Sequence, residues 1–138
     1  MSEVEVSVVL PAYNEEDTIE HTVETTLDTL ASFCDSFEVI VAEDGCDDRT
    51  PEIADRLAAE DDRVRHFHSD ERLGRGGALE RAFQASDGDT LVYFDTDLAT
   101  DMSHLEALVE SVRTERYDVA TGGFLHLVAL LVAGVTLS

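Results

Sequence analysis

Two aspartates one residue apart, Asp95 and Asp97, close the apolar run Thr90-Leu91-Val92-Tyr93-Phe94. Alternate strand residues face opposite sides, but where a strand ends and the backbone turns, two such carboxylates can converge. Hard oxygen ligands of this kind suit Mg²⁺ or Mn²⁺, the more so when a diphosphate fills the rest of the shell. The same residues also read as a helix N-cap followed by a solvated turn. Glu43-Asp44 closes a second apolar run, Phe37 to Ala42, in the same way. It could hydrogen-bond a base or ribose edge, or form an Asx-type turn into Gly45.

Two further segments carry chemistry. Leu73-Gly74-Arg75-Gly76-Gly77 opens an apolar-periodic stretch; glycines let backbone N–H groups approach a phosphate, and a helix start favours anions. It is not the dinucleotide-binding fingerprint, since Leu79 stands where the third glycine belongs. The other reading is a glycine-softened loop. In Pro11-Ala12-Tyr13-Asn14-Glu15, Tyr13 could pack on a planar base and Glu15 could accept from ribose hydroxyls, or the segment is an ordinary turn with an Asn cap. His66 and His68 share a strand face, but the sequence offers no third ligand beside them. Cys34 and Cys46 form no CxxC or Cys/His cluster and read as inert thiols.

The elements that position these segments alternate. Glu5 to Leu10 is β-branched and stops at Pro11, which predicts a strand. Ile19, Val23, Leu27 and Leu30 recur at helical spacing. Phe37 to Ala42 is a second strand and Glu43-Asp44-Gly45 its turn. Thr50-Pro51 reads as N-cap and first helical residue, with Ile53, Ala54, Leu57 and Ala58 as the apolar stripe. Val64 to Phe67 is a third strand, Ala78 to Phe83 marks a helix, and Thr90 to Phe94 is a fourth strand. Ser103 and Glu106 resemble a capping box for a helix reaching Val112, and Tyr117 to Thr121 is a fifth strand. This order predicts an α/β fold, a mostly parallel sheet with helices on both faces. Functional residues then belong at the carboxyl ends of the strands, where all four segments fall.

Composition bounds the rest. The 138 residues are 43% hydrophobic, enough for one folded domain. They carry 31 acidic against 9 basic residues, all arginine, for a net charge of −22. That excludes nucleic-acid binding through a broad basic patch, and the absence of lysine excludes Walker-A and Schiff-base chemistry. Dispersed acidity around a good core predicts a surface adapted to a high-salt cytoplasm. The start lacks the basic and apolar regions of a signal peptide. From Val119 to Ser138 there is no charged residue, about 30 Å if helical, though Gly122-Gly123 interrupts the run.

Together the four segments resemble the family 2 glycosyltransferases, which have the GT-A fold, and in particular their dolichol-phosphate and polyprenyl-phosphate sugar synthase branch. The resemblance rests on PAYNE after strand one, EDG-CDD-T after strand two, RLGRGGAL, and FDTDLATD after strand four, and runs from Val4 to about Gly123. It implies transfer of a sugar from a UDP- or GDP-sugar to a polyprenyl or dolichol phosphate, with inversion and with Mg²⁺ or Mn²⁺. It places Pro11, Ala12, Tyr13 and Glu15 around base and ribose, Asp44 at the base, Arg75 near the diphosphate, Asp95 near ribose and metal, and Asp97 on the metal. Residues 1–123 are then a partial nucleotide-sugar-binding domain. Residues 124–138 are an apolar tail, buried or membrane-associated, on a cytoplasmic protein at the membrane's inner face.

The family's catalytic base and acceptor-binding elements lie after the fifth strand, and no carboxylate follows Asp118 here. The expectation is a C-terminally truncated transferase whose incomplete sheet edge invites a second copy. The alternative is a catalytically incomplete nucleotide-binding or regulatory module. A receiver-like domain would need a lysine, and a haloacid-dehalogenase-type phosphatase would carry its DxD on the first strand.

Overall fold

A computed structural model describes residues 4–85, 90–93, 109, 119–121 and 128–131. The strands are β1 (Val6–Ala12), β2 (Phe37–Asp44), β3 (Val64–Ser69), β4 (Thr90–Tyr93), β5 (Val119–Thr121) and β6 (Val128–Leu131). The helices are α1 (Ile19–Ala31), α2 (Thr50–Glu60) and α3 (Gly74–Ala85). The strands form one sheet in the order β3-β2-β1-β4-β6-β5. The pairs β1–β2, β1–β4 and β2–β3 are parallel, so all four of these strands deliver their carboxyl ends to one edge.

Period-2 alternation sorts the side chains into two layers. Val6, Val8, Leu10, Val39, Val41 and Val64 face one way and pack with Ile19, Val23, Leu30, Ala54 and Leu57 of α1 and α2. Val9, Ile40 and Ala42 face the other way, against Ala82 of α3 and the half-buried Phe67. Helices therefore cover both faces, and the GT-A architecture expected from the sequence is present. Because both faces are covered, the central strands are almost uninterrupted apolar runs. Burying one Val or Leu fully contributes roughly 1.5–3 kcal/mol. The buried Glu38 is held by the Ser7 hydroxyl, 2.6 Å away, and by the Arg65 guanidinium at 3.0 Å.

Several boundaries differ from the sequence reading. β1 continues through Pro11, with Pro11 and Ala12 in register against Ala42 and Glu43. Proline is tolerated because it falls near a strand end. β2 likewise includes Glu43 and Asp44, both buried. Thr50 is the first residue of α2, and no side chain caps that helix at Arg49, the residue before it. β5 is present at Val119–Thr121 but sits at the far edge, antiparallel to β6. β6 arises within the apolar tail and pairs antiparallel with β4, Tyr93 opposite Val128 and Thr90 opposite Leu131. Those four tail residues are strand, not helix. Among the described residues no helix is long and apolar enough to cross a membrane. The helix expected from Ser103 to Val112 lies outside the described residues except for Val109, which is buried.

Candidate functional site

Asp44 ends β2 with its side chain toward the α3 layer. Its Oδ1 accepts the amide N–H of Leu73 at 2.5 Å and its Oδ2 accepts that of Gly74 at 3.0 Å. A carboxylate thus occupies the helix N-terminus, where exposed N–H groups and the macrodipole favour negative charge. The Arg72 Nε lies 3.8 Å from the same carboxylate, and the Arg72 guanidinium stacks 3.7 Å from the centroid of the Tyr13 ring. One contact chain therefore joins the loops after β1, β2 and β3.

Two glycines permit this. Gly45 has φ +60°, and a Cβ there would lie 2.9 Å from the Arg72 backbone nitrogen. Its own N–H donates to the Ser69 carbonyl at 2.8 Å. Gly74 has φ +79° with open space where a Cβ would be, so its glycine is required by backbone conformation and not by close approach.

The β1–α1 and β2–α2 loops are laced to each other. The Glu15 N–H donates to the Thr50 hydroxyl at 2.8 Å and the Asp47 N–H to Asn14 Oδ1 at 2.8 Å. Glu16 N–H reaches Asp48 Oδ2 at 3.2 Å, and Arg49 N–H reaches Glu16 Oε2 at 3.2 Å. Asn14 holds a left-handed φ of 52°, which Asn tolerates better than most residues. So Asn14 ties one loop to the other instead of capping α1, and Thr50 serves as acceptor for Glu15. Asp48 is likewise engaged, accepting the Thr50 N–H at 2.9 Å. Burial works against the charged form of Asp48, but the hydrogen bonds from Thr50 and Glu16 prevail and lower its pKa. Cys46 accepts the Asn14 N–H at 3.3 Å, and burial pushes its thiol pKa up.

On the other layer, Glu43 meets both histidines of β3. Its Oε1 faces His66 Nε2 at 3.0 Å and also contacts His68 Nδ1. The two remaining ring nitrogens meet aspartates: His66 Nδ1 lies 2.8 Å from Asp55 and His68 Nε2 2.6 Å from Asp70. Glu43, then Asp70, raises the His68 pKa. A third ligand for the histidine pair, which the sequence did not offer, is thus present. The ladder pairs Glu43 with His68, and that register is what strand spacing along the sequence cannot give.

Of the expected site residues, Pro11, Ala12, Tyr13, Glu15 and Asp44 gather at the carboxyl edge. Tyr13 stays 42% exposed, leaving ring surface for a partner besides Arg72. Arg75 lies in the first turn of α3. Asp95 and Asp97 follow β4 by two and four residues in the sequence and lie outside the described residues. Arg72 was given no role in the sequence reading, although it opens the RLGRGGAL motif. A pocket of about 420 Å³ lined by Ala31, Cys34, Asp35, Ser36, Phe37 and Arg63 lies at the opposite edge, where β2 begins.

A sheet that is parallel over β1 to β4, with its strand-end loops converging at one edge, defines an α/β domain with a candidate binding edge. The chain belongs to glycosyl transferase family 2, whose model matches residues 7–126. It is 78% identical over 121 residues to glycosyltransferase AglD of Haloferax volcanii, covering 86% of this chain and 19% of that protein. It is 30% identical over 115 residues to the undecaprenyl-phosphate 4-deoxy-4-formamido-L-arabinose transferase of Proteus mirabilis, covering 83% of this chain and 35% of that one. The fold matches glucosyl-3-phosphoglycerate synthase of Mycobacterium tuberculosis in complex with Mn²⁺, UDP and glucosyl-3-phosphoglycerate. The TM-score is 0.68 at 26% identity, over 94% of this chain and 57% of that one. This chain thus spans about a fifth to a third of the length of these curated relatives.

Proposed function

We propose that this chain carries the donor side of a sugar transfer from a UDP- or GDP-sugar to a polyprenyl or dolichol phosphate, with inversion at the anomeric carbon. The observation that carries this is the contact chain from Tyr13 through Arg72 and Asp44 to Gly74, which gathers three strand-end loops at one edge. β4 runs parallel to β1, so its carboxyl end belongs to that same edge.

In this assignment Pro11 and Ala12 form the floor, Tyr13 offers ring surface to the base, and Glu15 accepts from ribose. Asp44 has about four acceptor positions; two are taken by Leu73 and Gly74, leaving room for a base N–H. Arg75, in the first turn of α3, sets a positive charge beside the diphosphate within a chain of net charge −22. Asp95 and Asp97 would hold Mg²⁺ or Mn²⁺, two hard carboxylate donors matching a hard cation, and Asp95 would also reach ribose. The cation would act as a Lewis acid, neutralising charge on the departing diphosphate. The Mn²⁺ and UDP in the Mycobacterium tuberculosis enzyme support the same donor chemistry. The undecaprenyl-phosphate relative supports a lipid-phosphate acceptor, and with it a peripheral place at the membrane's cytoplasmic face.

Calorimetric titration of UDP and GDP at high salt, with and without Mn²⁺, tests this. The expected result is Mn²⁺-dependent binding of one nucleotide, lost in Asp97→Ala. Absent or metal-independent binding would overturn it.

A further inference from the structure

We propose that Glu43, His66 and His68 form a binding site for a divalent transition-metal ion of the zinc type, separate from the hard-cation site assigned to Asp95 and Asp97. The three side chains each offer a ligand atom, and those atoms lie within 4.8 Å of one another. Two imidazole nitrogens and one carboxylate oxygen are the donor set that borderline ions such as Zn²⁺ and Co²⁺ prefer over Mg²⁺. The backbone holds the ligands in place: Glu43 and His68 are paired in the β2–β3 ladder, and His66 sits on the same face two residues earlier. Access is one-sided. The side chains of Glu43 and His66 are 0% and 8% exposed, while that of His68 is 46% exposed.

Two further observations point to a cation. The first is proton accounting. Each ring turns its outer nitrogen to an aspartate, His66 Nδ1 to Asp55 at 2.8 Å and His68 Nε2 to Asp70 at 2.6 Å. In the tautomer that donates outward to these aspartates, each ring turns a lone pair toward Glu43 Oε1. Three lone pairs then converge and need a positive charge between them. Carboxylates on the outer nitrogens are also the usual second shell of metal-bound histidine, fixing tautomer and ring orientation. The second is Glu43 Oε2, which is buried and has no hydrogen-bond partner among the described residues. Coordination by both carboxylate oxygens, or through a bound water, would satisfy it. The bound ion would clamp the edge strand β3 to the end of β2, one residue from Asp44.

The test uses the chain freed of metal and titrated at high salt with Zn²⁺ by calorimetry and with Co²⁺ by visible absorption. The expected result is one ion per chain and a higher melting temperature on binding, as for any ligand of the native state alone. His68→Gln should weaken binding by about a hundredfold or more, and Asp70→Asn by about tenfold, the range for outer partners. Asp70 is a surface residue, so that variant should fold whether or not His68→Gln does. Asp97→Ala should keep the Zn²⁺ site, and His68→Gln should keep Mn²⁺-dependent UDP or GDP binding, which separates this proposal from the donor assignment. No saturable Zn²⁺ or Co²⁺ binding would overturn it and leave a hydrogen-bonded network of histidines and carboxylates. Equal affinity in wild type, His68→Gln and Asp70→Asn, or loss of the ion in Asp97→Ala alone, would overturn it as well.

Discussion

Asp44 at the end of β2 accepts the amide N–H of Gly74, the first residue of α3, at 3.0 Å, while its other oxygen takes the neighbouring N–H of Leu73. One side chain thus fixes where a helix starts relative to a strand it is not joined to. The glycine-rich loop is set by a protein carboxylate before any ligand arrives.

Replacing Asp44 by Ala removes two charge-assisted bonds from a buried site. With about 1.5–3 kcal/mol for each bond to a charged group, and partial relaxation, the expected loss is about 3 kcal/mol. Asp44→Asn should recover less than half, because its amide NH₂ must face one of the two N–H donors. Urea unfolding of both variants measures this, and UDP or GDP affinity should fall with it.

Gly45→Ala forces a Cβ to 2.9 Å from the Arg72 nitrogen at a φ of +60°. A strained position of this sort costs about 1–3 kcal/mol. The displaced Arg72 should leave the Tyr13 ring, so the variant should melt earlier and show a changed tyrosine fluorescence.

Thr50→Val keeps shape but strips the acceptor from the Glu15 N–H, while Thr50→Ser keeps it. The expected cost is about 1–3 kcal/mol for the valine, the penalty for an unsatisfied group, and a small fraction of that for the serine. Hydrogen exchange at the Glu15 amide should accelerate in the valine variant only.

Acid should weaken the fold partly through Asp61. The Arg63 side chain donates to it at 2.7 and 3.0 Å and lowers its pKa. A carboxylate depressed in the native state stabilises fully above its unfolded pKa of about 3.9, and that contribution disappears as pH falls through the native value. Because Arg63 is 46% exposed, solvent screening keeps the effect below about 1 kcal/mol. Asp61→Asn should flatten the acid limb of the stability profile slightly and leave the slope above pH 5 unchanged.

Much of this was legible in the sequence because the sheet is buried on both sides. Strand-like runs rich in valine and isoleucine, such as Val6 to Leu10 and Val39 to Val41, leave little choice of element, and the carboxyl-end rule then gathers Tyr13 and Asp44. What escaped depended on pairing between strands. Glu43 and Asp44 looked like a turn because both are charged, yet each finds partners on elements distant in sequence: the histidines of β3 for one, the amides of α3 for the other. β6 escaped for the opposite reason. An apolar run without polar alternation reads equally as helix or strand, and only its pairing with β4 decides.

Glu43 and Asp44 are adjacent in the chain but stand on opposite sides of the sheet. A slide of β2 by a single position, in either direction, would turn both to the opposite face of the sheet. Slid one way, Asp44 meets the imidazoles with a shorter reach and Gly45 faces the Leu73 and Gly74 amides; slid the other way, Glu43 overruns those amides and Ala42 faces the histidines. The chain therefore carries a built-in proofreader of strand alignment: a misregistered sheet loses both polar anchors at once, in addition to inverting its apolar faces.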